Sequence, residues 1–499
     1  MNFTEYKDKV NACWLGKNIG GTLGAPIECR RGLFEVDYYL HDITKGVLPN
    51  DDLDLQLVWL NAAEKYGTNV NANILADYWL MSITPEWSEY GVGKSNLRYG
   101  IRPPASGKYH NQFSQSCGCF IRSEIWACLA PGRPNIAVKY AYEDAVVDHS
   151  DEGVYAELFC AAVQSAAFEE SDTNKLIDIG LSYLPKDCAI AGVVALVRQC
   201  YANGDTWQTA RKKVLCQFPA TFGLAIGPVE EGIPAGEVGY DAPSNIGIII
   251  IGWLYGEGDF SKSICIAAAC GEDADCTAGT LAATLGIIMG TDAIDQKWKD
   301  PIGDEIKTVT VDRTGSIHIP ETVPQLTERV ARLMTVFMND HISIDSCGTI
   351  SIHTLKGNAL FNSEVRINAR DNDVKYPYMW DNNVIAEESC LFFNVYVSSP
   401  DMITIREGEE KQLELLFMNK KSFQYWAEVK LHCPAEWDIG GSIAPVAVRQ
   451  FNSGSNRTST KLTFTPHGLT QGKYSVVAEI SIAGFITKAF VPLTFVVNG

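Results

Sequence analysis

Apolar residues recur at spacings of three and four through the first 340 residues, then switch to alternation with polar ones. Stretches such as 154–169 and 189–201, rich in Ala, Leu and Val, predict long helices and an all-α domain over residues 1–340. Segments 341–354, 391–397, 402–405, 412–418, 427–432, 458–465, 474–482 and 486–497 alternate and are separated by turn chemistry. They predict a β-containing connector over 341–384 and an all-β, immunoglobulin-like sandwich of about seven short strands over 385–499. Glycine- and proline-rich stretches at 91–107, 130–134 and 226–243 predict long loops between helices. The polar stretch 358–383 reads as the hinge, and no internal repeat is visible.

A length of 499 residues fits two or three domains. A hydrophobic content of 46% with 20% charged residues is that of a globular chain and excludes disorder. With 41 Lys and Arg against 60 Asp and Glu, the formal charge of -19 opposes binding to phosphate backbones or anionic lipid, so no nucleic-acid partner is expected. The fifteen cysteines lack C-x-x-C spacing and read as reduced core residues. Cys117-Gly118-Cys119, with one residue between thiols, reads as loop or core. Charges at Glu5, Lys7, Asp8 and Lys9 interrupt any signal-peptide core, and the longest apolar run, 246–255, is too short for a bilayer. The expected location is cytoplasmic, with no membrane span.

Candidate chemistry gathers at helix starts. Gly16, Gly20 and Gly24 share one helix face, and each costs a helix about 1 kcal/mol relative to alanine, so the stripe implies close helix packing, delivery of Glu28 into a cleft, or both. Asn50-Asp51-Asp52 and Asp273-Ala274-Asp275-Cys276 each precede an apolar helix. Acids there cap free N–H groups; if the two starts meet, four carboxylates crowd together and call for a hard divalent cation such as magnesium or manganese. Asp148-His149, followed by Gly153 and Tyr155, could cap a helix or line a polar substrate site.

In this order the segments resemble the ADP-ribosylglycohydrolase family over roughly residues 8–335. Ala25-Pro26-Ile27-Glu28 looks like its first motif, Asn50-Asp51-Asp52 like its Thr/Ser-Asp-Asp metal motif, and Asp273-Ala274-Asp275 like its Asp-Thr-Asp metal motif. Gly118 to Trp126, with Arg122 and then Ala130-Pro131-Gly132, is similar to the family's substrate loop, and Asp148-His149 through Tyr155 to its central His segment. The resemblance implies an all-α fold with two divalent cations, Mg2+ or Mn2+, that hydrolyses the glycosidic bond at the anomeric carbon of ADP-ribose. On it, Asn50, Asp51, Asp52, Asp273, Asp275 and Cys276 are the metal residues and Glu28 the catalytic carboxylate. Gly118, Arg122, Asp148, His149, Gly153 and Tyr155 are then the substrate-binding residues.

Asn50, Ala274 and Cys276 depart from the family's Thr or Ser, Thr, and hydroxyl residue, which suggests a divergent bacterial-type branch; a thiol is a poor ligand for magnesium. Two other readings stay open: a glycosidase for another sugar or nucleoside, and a module that binds ADP-ribose without cleaving it. The sandwich lies outside the resemblance. Its Cys433-Pro434-Ala435-Glu436-Trp437 segment faintly resembles a turn of immunoglobulin-like domains attached to bacterial glycosidases, or is simply a buried Trp in a sandwich core.

Overall fold

The computed structural model describes residues 1–218, 232–233, 239–312, 317–362, 383–440, 443–449 and 457–497. The chain divides into two compact units. One comprises Met1–Val92, His110–Ala145 and His149–Ser363; the other comprises Gly93–Tyr109, Val146–Asp148 and Glu364–Gly499.

The first unit is helical. Its opening helix, Phe3–Gly24, starts where Asn2 accepts a hydrogen bond from the Glu5 amide at 2.8 Å, and from Ala12 to Gly24 every residue is buried. The glycine stripe explains how: a Cβ added at Gly16, Gly20 or Gly24 would come within 2.3 Å of the carbonyl oxygens of Ala282, Ala278 or Ala274. The helix Ala274–Met289 therefore runs antiparallel to the first, backbone against backbone, and its Gly286 makes the reciprocal fit against Ala12. Just beyond this contact, the short strands Arg30–Arg31 and Gly271–Glu272 pair antiparallel, with Arg30 opposite Glu272. These two joints bring chain segments roughly 240 to 270 residues apart into register.

Expected helices appear at Glu152–Ala166 and Ala189–Ala202. The stretch 91–107 departs from its expected loop, because Ser88–Tyr99 and Ala105–Lys108 are helical. Its glycines serve close approach: a Cβ at Gly91 would lie 2.3 Å from the Glu86 carbonyl oxygen, and one at Gly93 would lie 2.9 Å from the Asp148 Cβ. The expected loop 226–243 falls largely outside the described residues, as does the expected hinge from 363 onward. Residues 341–354 form a separate hairpin, Ile342–Ile344 with Ile350–Ile352. No helix among the described residues is long and apolar enough to cross a membrane.

The second unit carries two five-stranded sheets. One orders Asp438–Gly440, Arg457–Thr465, Lys411–Asn419, Phe393–Ser398 and Val384–Ser389; the other orders Ile443–Val448, Tyr425–His432, Lys473–Ile482, Lys488–Val497 and Thr404–Ile405. Tyr425–His432 alternates buried and exposed at every residue, the period expected of a strand with one face in a core. Val395, Leu415 and Phe417 of the first sheet join Val429, Val476 and Phe495 of the second in one apolar cluster, so the region is a sandwich. Trp437 is part of that core, with its ring stacked 5.1 Å from Phe464.

Candidate active site

The two acidic helix starts meet. Asn50 caps Asp51–Tyr66, its Oδ1 accepting from the Asp52 amide at 2.8 Å, while its Nδ2 donates to Asp275 Oδ2 at 3.1 Å. Asp273 is the N-cap of Ala274–Met289. It follows Glu272, whose φ of 62° is strained for a non-glycine residue. A buried fork holds that turn: Arg31 Nε donates to Glu272 Oε1 at 2.7 Å and its Nη2 to Oε2 at 3.0 Å. Two residues ahead of the facing strand, Glu28 caps the end of the turn Ala25–Ile27 that follows the glycine helix.

Three overlapping groups result, each with ligating atoms within 4.8 Å of one another: Glu28, Asp273 and Asp275; Asp52, Asp275 and Cys276; and Cys117, Asp273 and Cys276. Asp273 Oδ1 and Asp275 Oδ1 are buried without a hydrogen-bond partner. Burial first, then neighbouring carboxylates, raises the acids Asp51 and Asp275 well above the usual range, and burial raises Asp273. Crowding by protein, then the charges of Asp273 and Asp52, push Glu28 up to about 7. Glu28 remains exposed to solvent, beside the repelling charges of Asp273 and Asp52. A cation would relieve this repulsion. The all-oxygen group suits a hard divalent ion, whereas the Cys276 thiol does not.

A cavity of about 230 Å³ opens over this cluster, several times the ~30 Å³ share of one water, so it admits a small organic group. Its lining includes Glu28, Asp51, Asp273 and Cys276, together with Gly118, Trp87 and Tyr90. Tyr90 donates its hydroxyl to Asp51 Oδ2 at 2.9 Å. Trp87, 55% exposed, stacks on Tyr90 with centroids 6.2 Å apart.

A family model described as ADP-ribosylglycohydrolase matches residues 3–336, two thirds of the chain. The chain belongs to the ADP-ribosylglycohydrolase family. A solved structure titled "ADP-ribosylglycohydrolase-related protein complex" is similar at 18% identity and a TM-score of 0.42, covering 67% of this chain and 98% of that one. No curated protein matches.

Within this ADP-ribosylglycohydrolase domain the remaining expected residues sit apart from the cavity lining among the described residues. Arg122 is buried: its Nε donates to Asp144 Oδ1 at 2.8 Å, its guanidinium lies 5.2 Å from the Trp79 ring centroid, and Nη1 donates to the Gly118 carbonyl at 2.8 Å. It thus holds a lining residue without joining the lining. His149 is fully buried, with Nε2 2.7 Å from Ser116 Oγ. Gly153 packs against His149 and the Ser114 carbonyl oxygen; Asp148 is buried and Tyr155 half-buried.

A buried network beneath the acids escaped the sequence reading. Lys17 Nζ lies 3.1 Å from both Asp52 Oδ2 and Glu124 Oε1, and Gln56 Nε2 donates to Glu124 Oε2 at 2.9 Å. Burial alone would lower the Lys17 pKa, but Asp52 and Glu124 outweigh it and raise it above its ordinary value. Burial lifts Glu124 to about 7 against the pull of Lys17. Lys17 gains from two carboxylates and stays an ammonium; Glu124, with one cation, is the partner nearer to protonation. The signal that could have found them is a lone charge in an otherwise buried helix, which has to pair.

Proposed function

We propose that the chain is a divalent-cation-dependent glycohydrolase that cleaves the bond between the anomeric carbon of an ADP-ribosyl group and its acceptor. One observation carries this reading: Glu28, Asp273 and Asp275 offer carboxylate oxygens within 4.8 Å of one another, and Glu28 and Asp273 line an open cavity, in a chain whose family membership supports a glycohydrolase function.

In this reading Asp273, Asp275 and Asp52 hold Mg2+ or Mn2+, with Asp51 steadied beside them by the Tyr90 hydroxyl. The bound cation supplies charge stabilisation and orients sugar hydroxyls. Glu28, exposed at the same cavity, accepts the proton of the attacking water or delivers one to the leaving group, which requires only hydrogen-bond reach. The exposed face of Trp87 offers a stacking surface for a ring of the substrate. Arg122 and His149 act from beneath, positioning the loop that carries Gly118.

The test is turnover of the full chain on ADP-ribosylated arginine, serine and nucleic-acid substrates and on aryl glycosides, with and without magnesium. Release of free ADP-ribose, abolished by chelator, supports the reading. Binding without release assigns a non-catalytic module, and turnover of aryl glycosides alone assigns another sugar.

A further inference from the structure

The third ligand group differs in kind from the other two. Cys117 comes from a loop whose backbone is fixed by its amide donating to the Tyr240 carbonyl at 2.6 Å. Its thiol points at Asp273, with Sγ 2.7 Å from Oδ2. Cys276, in the first turn of Ala274–Met289, completes the group. All three side chains are buried, yet all three belong to the cavity lining. The other oxygen of Asp273, Oδ1, is buried without a partner. Two sulfurs and one oxygen form a soft donor set, and three protein ligands with a fourth position left to the cavity is the pattern of an open zinc-type site.

We propose that Cys117, Asp273 and Cys276 bind a thiophilic divalent cation of the zinc class, beside the oxygen-only corner formed by Glu28, Asp273 and Asp275. The inference rests on the functional reading above only in taking the acidic cluster as a metal centre. Thiolates are the ligating form, so each cation bound displaces the two thiol protons to solvent. Because Asp273 belongs to both corners, the centre discriminates cations by softness: a thiophilic ion is held by sulfur, and magnesium is left with carboxylates.

The test is optical and uses no substrate. Chelator-stripped, fully reduced protein is titrated with Co2+. The expected result is a near-ultraviolet sulfur-to-cobalt charge-transfer band that saturates at one equivalent, is bleached by one equivalent of Zn2+, and survives a hundredfold excess of Mg2+. Cys117→Ser and Cys276→Ser should each remove most of the band, and Cys13→Ser, a buried thiol outside the group, should leave it intact. Should a serine variant misfold, protection of two thiols by Zn2+ against alkylation in the wild-type chain, mapped to Cys117 and Cys276 by mass spectrometry, supplies the same answer. Absence of the band and of that protection in the wild-type protein, or a band unchanged in both variants, overturns the proposal. ADP-ribose release with magnesium alone reads the glycohydrolase reading separately, so each can fail without the other.

Discussion

Lys17 reaches Asp52 at 3.1 Å, both side chains being fully enclosed. One acid of the cluster therefore has a counter-charge built into the fold, supplied by the same helix that carries the glycine stripe. Replacing it by Lys17→Met leaves Asp52 and Glu124 buried without their cation. Breaking a buried pair from one side costs roughly 3–5 kcal/mol, and chemical denaturation should show a loss of that order. The double variant Lys17→Met, Glu124→Gln should recover part of it; no recovery would mean that the lysine acts through packing alone.

Adding a methyl group at the helix contact tests the backbone fit. Gly20→Ala would place a Cβ 2.3 Å from the Ala278 carbonyl oxygen, and overpacking of this kind costs about 1–3 kcal/mol or more. Gly279→Ala, on the facing helix, meets nothing closer than 3.4 Å and should be tolerated. Thermal melts of the two variants should separate clearly, with Gly20→Ala much the lower.

Cation binding should be visible as stabilisation. A ligand held only by the folded chain adds about 2.7 kcal/mol at a hundred times its Kd, so magnesium or manganese should raise the wild-type Tm. Asp275→Asn removes a carboxylate shared by two of the ligand groups and should abolish that rise. Because it also removes a buried, repelled carboxylate, the variant should melt no lower than the metal-free wild type.

Glu28→Gln separates chemistry from structure. The side chain is exposed, so stability should move by no more than about 0.5 kcal/mol. If the carboxylate handles the proton, kcat should fall by roughly 10²- to 10⁴-fold with little change in substrate affinity. A kcat within twofold of wild type would remove Glu28 from the reaction.

The sandwich carries a pH-dependent burden at Lys411. Its side chain is 4% exposed, its amine has no hydrogen-bond partner among the described residues and lies 6.0 Å from the Phe495 ring centroid, and burial pushes its pKa down to about 8. An unfolded lysine titrates near ~10.4. Between about pH 8 and 10.4 the unfolded chain binds more protons, so stability rises with pH across this window; below it the full cost is present. Lys411→Met should therefore stabilise by on the order of 2 kcal/mol at pH 7, and the gain should shrink as the pH approaches 10.5. Urea unfolding of both proteins at pH 7 and pH 10 measures it.

The acidic helix starts and the strands are legible in sequence because each is a local pattern: acids ahead of an apolar helix, and a period of two with one buried face. Gly91 and Gly93 mislead because glycine punctuates a loop and permits close approach equally well, and only the partner atoms, the Glu86 carbonyl and Asp148, distinguish the two uses. Lys17 and Glu124 are hidden for a related reason. A charge every few residues reads as a solvated face until the helix is known to be enclosed on all sides. Cys117 could not be paired from spacing at all, since its contact Asp273 lies 156 residues away. His149 and Arg122 match their motifs, yet both turn inward, to Ser116 and Asp144.

The main-chain contact of Gly16, Gly20 and Gly24 with Ala282, Ala278 and Ala274 also divides the cavity by its capacity to vary. Where peptide atoms set the spacing, as between Glu28 and Asp273, a lineage cannot adjust reach by exchanging side chains; any added atom pushes the two helices apart. The Trp87 ring, part of the lining and 55% exposed, carries no such constraint. New substrate preferences in descendants of this chain would therefore arise at the aromatic segment, while the acidic one keeps its dimensions.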